Sequence, residues 1–493
     1  MSRIAVTYAV LIVGTGFGGL CTAAQLRRAG ITEFVVLERA EALGGTWRDN
    51  RYPGCAVDVP SRLYSYSFAP NPDWSRLFAP REELWAYTLR CVDQFGLAQH
   101  IRLGEDVVDA RWDATYAVWI VTTRRGSVYR ASVLVSAMGA LSDPVVPALP
   151  GAERFTGEQI HSARWPADLD LRAKRVAVVG TGASAIQFVP HIAPQVAQLT
   201  VHQRTAPWVV PRNDRPISAV ERSLYRAAPW TQRVTRLATW ATLEARAYAF
   251  TRAPSLLRVV EREGRAHLAR QVADPALRAR LTPTFSAGCK RILLSDDYYP
   301  TFNRPNVELV TSPIRSVGPA SVTTEDGQER PVDVLIYGTG FDVTGQTRPR
   351  MFHGVGGIDL ADVWERGASA YKGATVPGFP NLFLLLGPNT GLGHSSMLLM
   401  IEAQVAYIVD AVRQQRARGW RSVEVRPAAL AAYNADLQRR LGRTVWASGC
   451  RSWYLDRHGV NTVLWPGFTF EFRRQTERFD VESYDVEPGL PPN

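Results

Sequence analysis

Apolar residues open the chain as a solid block and then become periodic. Tyr8 to Val13 is an unbroken apolar run that stops at Gly14-Thr15-Gly16-Phe17-Gly18-Gly19, and apolar positions then recur at helical spacing to about Gly30. A second short run, Phe34-Val35-Val36-Leu37, stops at Glu38. Short apolar runs bounded by glycine read as buried parallel strands, and the periodic stretch as a helix packed on them, so this segment predicts a βαβ unit. The order repeats about 165 residues later: Arg175 to Val179, the loop Gly180-Thr181-Gly182-Ala183-Ser184-Ala185, a helix, and the strand Gln198 to Gln203. Strand-like segments near 105–135 lead to Leu134-Val135-Ser136-Ala137-Met138-Gly139, and Pro144, Pro147 and Pro150 mark a stiff linker. From about 215 to 285 the chain is rich in Arg, Ala and Leu with no alternation, which predicts a helical insertion. After Gly387-Pro388-Asn389-Thr390-Gly391 a long apolar helix is expected from about Ser396 to Arg413.

The fold class that follows is α/β, with two Rossmann-like dinucleotide-binding domains and a helical insertion in the second. A chain of 493 residues is too long for one hydrophobic core. The expected division is 1–145 for the first part of one nucleotide domain and 146–344 for the second domain, with its insert at about 215–285. Residues 345–493 would complete the first domain and end in an active-site loop.

Two Gly-rich loops on one polypeptide imply two dinucleotides. In each, the helix N-terminus and bare backbone amides face the pyrophosphate, which assigns Gly14, Gly16 and Gly19 to one site and Gly180, Gly182 and Ser184 to the other. The residue ending the following strand separates the two. Glu38 suits a ribose hydroxyl, whereas Arg204, followed by Thr205, accommodates the additional phosphate of NADP.

Composition narrows the partners. At 46% hydrophobic and 21% charged the chain has the make-up of an ordinary globular protein. The net charge of +11 is concentrated between 212 and 280, where 14 arginines face six acids. Of the 57 basic side chains only Lys174, Lys290 and Lys372 are lysines, and no aromatic-interleaved or zinc-finger pattern accompanies them, so nucleic acid is not an expected partner. Trp230, Trp240 and Tyr248 in the insert read as packing residues, an amphipathic membrane contact being the alternative. No apolar stretch reaches 18 residues, which argues against membrane insertion. Cys21, Cys55, Cys91, Cys289 and Cys450 are scattered and without C-x-x-C spacing. Reduced thiols, a cytoplasmic location and no metal site are expected.

Between the two loops lies Phe155-x-Gly157-x-x-x-His161-x-x-x-Trp165-Pro166. This segment resembles the fingerprint of the type I Baeyer–Villiger monooxygenases of the flavin-containing monooxygenase superfamily. Gly44-Gly45-Thr46-Trp47 through Tyr52-Pro53-Gly54 to Asp58 resembles a second pattern of that family, and Lys290-Arg291 with Tyr298-Tyr299 a third. Gly338-Thr339-Gly340 is similar to the Ala-Thr-Gly hinge of related flavoproteins, with Gly338 in place of Ala. Ser452-Trp453-Tyr454 through Trp465 resembles the C-terminal stretch that covers bound NADP.

The resemblance implies that the first nucleotide is FAD and the second NADPH. It implies an enzyme that forms a C4a-peroxyflavin with dioxygen and inserts one oxygen beside a ketone carbonyl, giving an ester or lactone. Arg291 would be the catalytic arginine and Asp58 its partner. An arginine suits that task because it stays protonated at any working pH. Trp47, Asp58, Lys290 and Trp453 would contact cofactor, and Met397 is a candidate for the substrate pocket. His161 is expected to couple the domains rather than act as a base, because it lies in neither nucleotide loop. A sulfur- or nitrogen-oxidising relative sharing the fold is the alternative, with Trp165-Pro166 as the discriminating feature. A reductase or a chemically silent binding protein is a third class, against which intact Arg291, Asp58 and both loops argue. Which ketone is oxidised, with what selectivity, and in what oligomeric state are not encoded in these motifs.

Overall fold

The computed structural model describes residues 7–343, 350–450 and 452–489. The first apolar run forms β1 (Thr7–Val13), followed by α1 (Phe17–Arg28) and β2 (Phe34–Leu37). All four β2 side chains are buried, as an apolar run without alternation demands of a strand covered on both faces. An antiparallel meander follows: β3 (Val107–Asp113), β4 (Val118–Thr123) and β5 (Val128–Ser136). The last of these turns back to pair in parallel with β1, Val13 lying opposite Ser136.

The second unit is a five-stranded parallel sheet. Its strands are β6 (Glu158–His161), β7 (Arg175–Val179), β8 (Gln198–His202), β9 (Val307–Val310) and β10 (Val334–Tyr337), in the spatial order β9-β8-β7-β10-β6. Helix α2 (Ala185–Ile192) follows the Gly180 loop. The fingerprint segment therefore supplies the edge strand β6, with His161 opposite Tyr337 of β10. The chain then returns to the first sheet, where β11 (Leu382–Leu384) pairs with β5, and continues into α3 (Met397–Arg418), which packs on α1. The domain boundary expected at 344/345 lies outside the described residues.

Between β8 and β9 stand four helices of seven residues or more, Ala219–Ala227, Pro229–Thr251, Arg258–Gln271 and Pro275–Leu281. The first begins with a capping box, Ser218 accepting from the Glu221 amide while Glu221 accepts from the Ser218 amide. Trp240 packs as expected, its Nε1 donating to Thr469 Oγ1 at 3.1 Å. Trp230 and Tyr248 do not: they are 65% and 50% exposed. The correction has a geometric reason, since both lie on the side of the long helix that no other element covers.

The two glycine loops solve one packing problem in opposite ways. Gly14 and Gly180 both have φ of +107°, and a Cβ on either would strike the backbone oxygen of the residue after the neighbouring strand, Ala137 or Gly338. At the third position of the pattern the first unit has Gly19 facing Ala137, whereas the second has Ala185 facing Gly338. A Cβ added at Gly338 would stand 3.3 Å from that of Ala185. The methyl group has changed sides, and Gly338, which departs from the Ala of related hinges, is the compensation for Ala185.

Candidate active site

Two loops and one buried acid define the first nucleotide site. Glu38 closes β2 and is 4% exposed. Its Oε2 accepts from the Thr15 amide at 3.0 Å and the Thr15 hydroxyl at 2.6 Å, and its Oε1 accepts from the Ala40 amide and Arg48. Burial alone would raise this carboxyl, but the Thr15 bonds and the Arg48 charge outweigh it and hold the group below its ordinary value. The sequence points to Glu38 as a ribose ligand; the structure brings it to the Gly14–Gly19 loop, where four protein donors fix its carboxylate in place. Arg48, buried and unsuspected from the motif, is one of them.

The loop from Gly44 to Asp58 lies against this site. Gly44 and Gly45 have φ of +122° and +52°, and a Cβ on Gly45 would come within 3.0 Å of Gly16, so the two glycine turns touch. Trp47 Nε1 donates to the Tyr64 hydroxyl at 3.2 Å, and Arg81 donates to the Trp47 carbonyl. The same loop is fastened to the second unit by Gln187 of α2, which accepts from Tyr52 Oη at 3.0 Å and donates to the Ala56 carbonyl at 3.0 Å. Gln187 has no signature of its own and is legible only once α2 and the loop are seen together.

Asp58, at the end of that loop, meets Arg291 from 233 positions away, Nη2 to Oδ2 at 2.5 Å. The two side chains remain 39% and 32% exposed, so the pair is joined yet open to a ligand. Asp58 raises the Arg291 guanidinium further above its already high value, which keeps it charged. Tyr64 and Tyr454 flank the pair. Burial pushes each phenol up to about 12, against the pull of the Arg291 charge, so both are neutral donors at working pH. Tyr64 lies in none of the sequence motifs, and Tyr454, although part of the Ser452-Trp453-Tyr454 segment, is given no role there.

The candidate site for the second nucleotide gathers positive charge. Lys290 is held below its ordinary value by burial and by the nearby Arg204. Two cations held this close are stabilised by a bound phosphate. Gly182 and Ala183 are exposed at the start of α2, where Ser184 is the N-cap residue, and Thr205 O accepts from Thr181. Bare amides, a helix start and paired cations fit NADP; the glycine cradle of the first unit fits FAD.

The fingerprint residues lie elsewhere. Phe155, His161 and Trp165 are buried, and a Cβ on Gly157 would strike the Asp333 carbonyl. Trp165, preceding Pro166, packs on Phe188 of α2 with ring centres 5.4 Å apart. His161 accepts from the Ala163 amide, stands 6.0 Å from the Phe341 ring beside the hinge, and is pushed by burial down to about 4. It is a neutral histidine at the junction. None of the five bonds to Arg291 or Asp58.

Met397 is the first residue of α3, half-buried at the edge of a cluster containing Trp208, Phe250 and Trp446. Trp453 is 45% exposed, whereas Trp465 is buried and donates to the Phe468 carbonyl. The expectation of reduced thiols fails for two of the five cysteines: Cys289 and Cys450 form a disulfide, while Cys21, Cys55 and Cys91 are buried and free. A separation of 161 residues leaves no spacing signal for such a pair. The bond joins the residue before Lys290 to the segment that carries Trp453. No group of three or more metal-ligating side chains occurs among the described residues.

Two family models match the chain, an NAD(P)-binding Rossmann-like domain over residues 12–80 and L-lysine 6-monooxygenase/L-ornithine 5-monooxygenase over residues 59–219. A Baeyer–Villiger monooxygenase of Streptomyces coelicolor is 50% identical over 97% of this chain and 92% of its own length. One of Pseudomonas aeruginosa is 46% identical over 97% and 91%. Among solved structures, oxidised steroid monooxygenase bound to NADP superposes with a TM-score of 0.87 at 32% identity, covering 98% of this chain and all of the other. Cyclohexanone monooxygenase from Rhodococcus sp. Phi1 bound to NADP+ gives 0.87 at 29% identity, with the same coverage.

Proposed function

This chain belongs to the Baeyer–Villiger monooxygenases, and from that premise we propose which of its residues carry the reaction. The enzyme uses FAD, NADPH and dioxygen to insert one oxygen beside a ketone carbonyl, giving an ester or lactone. FAD, once reduced by NADPH, supplies the activated oxygen; the protein holds the reactants, excludes water and stabilises negative charge.

Arg291 is proposed as the catalytic cation. The observation that carries this reading is its contact with Asp58 in a half-open position, flanked by two neutral phenols. A guanidinium fixed on one side by a carboxylate keeps further N–H donors to meet the negative oxygen that develops as the ketone is attacked. Asp58 is a positioning residue. Gly14, Gly16, Gly19 and Glu38, with Trp47, form the FAD side of the site; Gly180, Gly182, Ser184, Arg204, Thr205 and Lys290 form the NADP side. Trp453 is proposed to cover the nicotinamide nucleotide, and Met397 to border the ketone. The division 1–145, 146–344 and 345–493 is proposed with these roles. No described helix is long and apolar enough to cross a membrane, and the cytoplasm, where NADPH is regenerated, is the proposed place of action.

Arg291→Ala and Arg291→Lys test the reading. Both variants are expected to purify with FAD and to be reduced by NADPH, yet to form less than about a hundredth of the wild-type ester from a panel of cyclic, linear and aryl ketones, the loss typical of one oxyanion donor. Ester yield near wild type in Arg291→Ala would remove this residue from the chemistry.

A further inference from the structure

The long helix of the insertion leaves an apolar stripe exposed. Residues 230, 234, 237, 241, 245 and 248 follow the helical repeat and share one face, and every one of them is exposed. They read Trp, Val, Leu, Ala, Ala and Tyr, with Trp230 at 65%, Leu237 at 60% and Val234 at 55% exposure. The opposite face buries polar groups at its start and the apolar Leu243, Ala247 and Phe250 further on. Gln232 there donates to the Asn71 carbonyl and Arg236 to the carbonyls of Arg62 and Ser65; beside the stripe, one heptad after Leu237, the buried Glu244 accepts from Thr469. A helix that buries polar side chains against the protein and still leaves a stripe of large apolar ones exposed lacks a partner on that side.

Charge identifies that partner. From Arg222 to Val260 the sequence has seven arginines and one acid, and the acid is the buried Glu244. The partly exposed carboxylate beside its start, Glu221, is paired with Arg215, so the exposed side of this stretch has no unpaired carboxylate. Arg233 and Arg246, to either side of the apolar stripe, and Arg258 are exposed and have no ion pair among the described residues. Val220, Leu224, Leu256 and Val259 extend the exposed apolar surface at both ends. A second copy of this chain docked face to face would set arginines against arginines. We infer that this face is a peripheral docking surface for an anionic lipid bilayer: the apolar stripe enters the acyl boundary and the flanking arginines reach lipid phosphates, their stems covering apolar surface as they do so.

The test is sedimentation of the FAD-loaded enzyme with vesicles of phosphatidylcholine alone or mixed equally with phosphatidylglycerol. Binding is expected to the mixed vesicles, weak binding to phosphatidylcholine, and release as salt is raised. Trp230→Ser, Val234→Ser and Leu237→Ser combined are expected to weaken binding to mixed vesicles at least about tenfold. Arg233→Gln, Arg246→Gln and Arg258→Gln combined should cost on the order of a hundredfold, about fivefold per arginine. FAD content and turnover of a water-soluble ketone, unchanged in both variants, establish that each is folded. Wild-type enzyme that stays in the supernatant overturns the inference, and so does vesicle binding that survives both triple variants. A dimer in light scattering that the serine variant dissociates, without vesicle binding by the wild type, would give the face to a second copy instead.

Discussion

Arg204 and Lys290 show how much a single side chain can decide. The pair sits with like charges close enough for Arg204 to depress the Lys290 ammonium, an arrangement that favours an anion of at least two charges. Arg204→Ala is therefore expected to raise the KM for NADPH by about 10- to 150-fold, the equivalent of roughly 1.5–3 kcal/mol for a charge-assisted bond. The KM for NADH should hardly move, because that nucleotide lacks the phosphate. Steady-state kinetics with both nucleotides checks this, and equal losses would place Arg204 outside the phosphate site. Glu38 gives the opposite lesson. Its residue type and position at the end of β2 were legible, but not the four donors that occupy it, because they come from Thr15, Ala40 and Arg48 on three turns of chain.

At the scale of elements, the exchange of a methyl group between Ala185 and Gly338 predicts a compensating pair. Gly338→Ala alone should destabilise the protein by about 1–3 kcal/mol, because the new Cβ crowds that of Ala185 against the hinge. Adding Ala185→Gly should return most of that loss, recreating the Gly19–Ala137 arrangement of the first unit. Urea unfolding of the four members of the cycle measures the coupling, and simple additivity would disprove contact. Both βαβ units were readable from the chain because strand, glycine turn and helix are local, each set by the periodicity of neighbouring residues. Asp58 and Arg291 meet across 233 residues, so spacing could not join them; only their likeness to family patterns did. The outward apolar face of the insertion helix was not readable either. Trp230 and Trp240 differ in burial because of what the tertiary fold places beside them, and that information is absent from the helix itself.

Across the whole molecule, three buried histidines make stability depend on pH. Burial pushes His161, His202 and His394 each down to about 4. Each is neutral in the folded chain and takes up a proton near pH 6.5 once unfolded, so the unfolded state binds more protons between those values. Their stabilising effect is complete above about pH 6.5 and is lost as pH falls toward 4, by about 3 kcal/mol per site at most. Thermal unfolding should show Tm falling through this window, and His394→Phe should shallow the fall; an unchanged slope would exclude that residue. A different whole-chain property comes from the Cys289–Cys450 bond. Trp453 is three positions beyond Cys450, a reach of at most about 11 Å when fully extended. The α-carbons of the two cysteines are 6.3 Å apart. In the oxidised chain Trp453 is thus on a leash of under about 17 Å from the residue before Lys290. In the role proposed for it, covering the nicotinamide nucleotide, Trp453 cannot drift far from Lys290, so the search it makes for the cofactor is confined to a small volume.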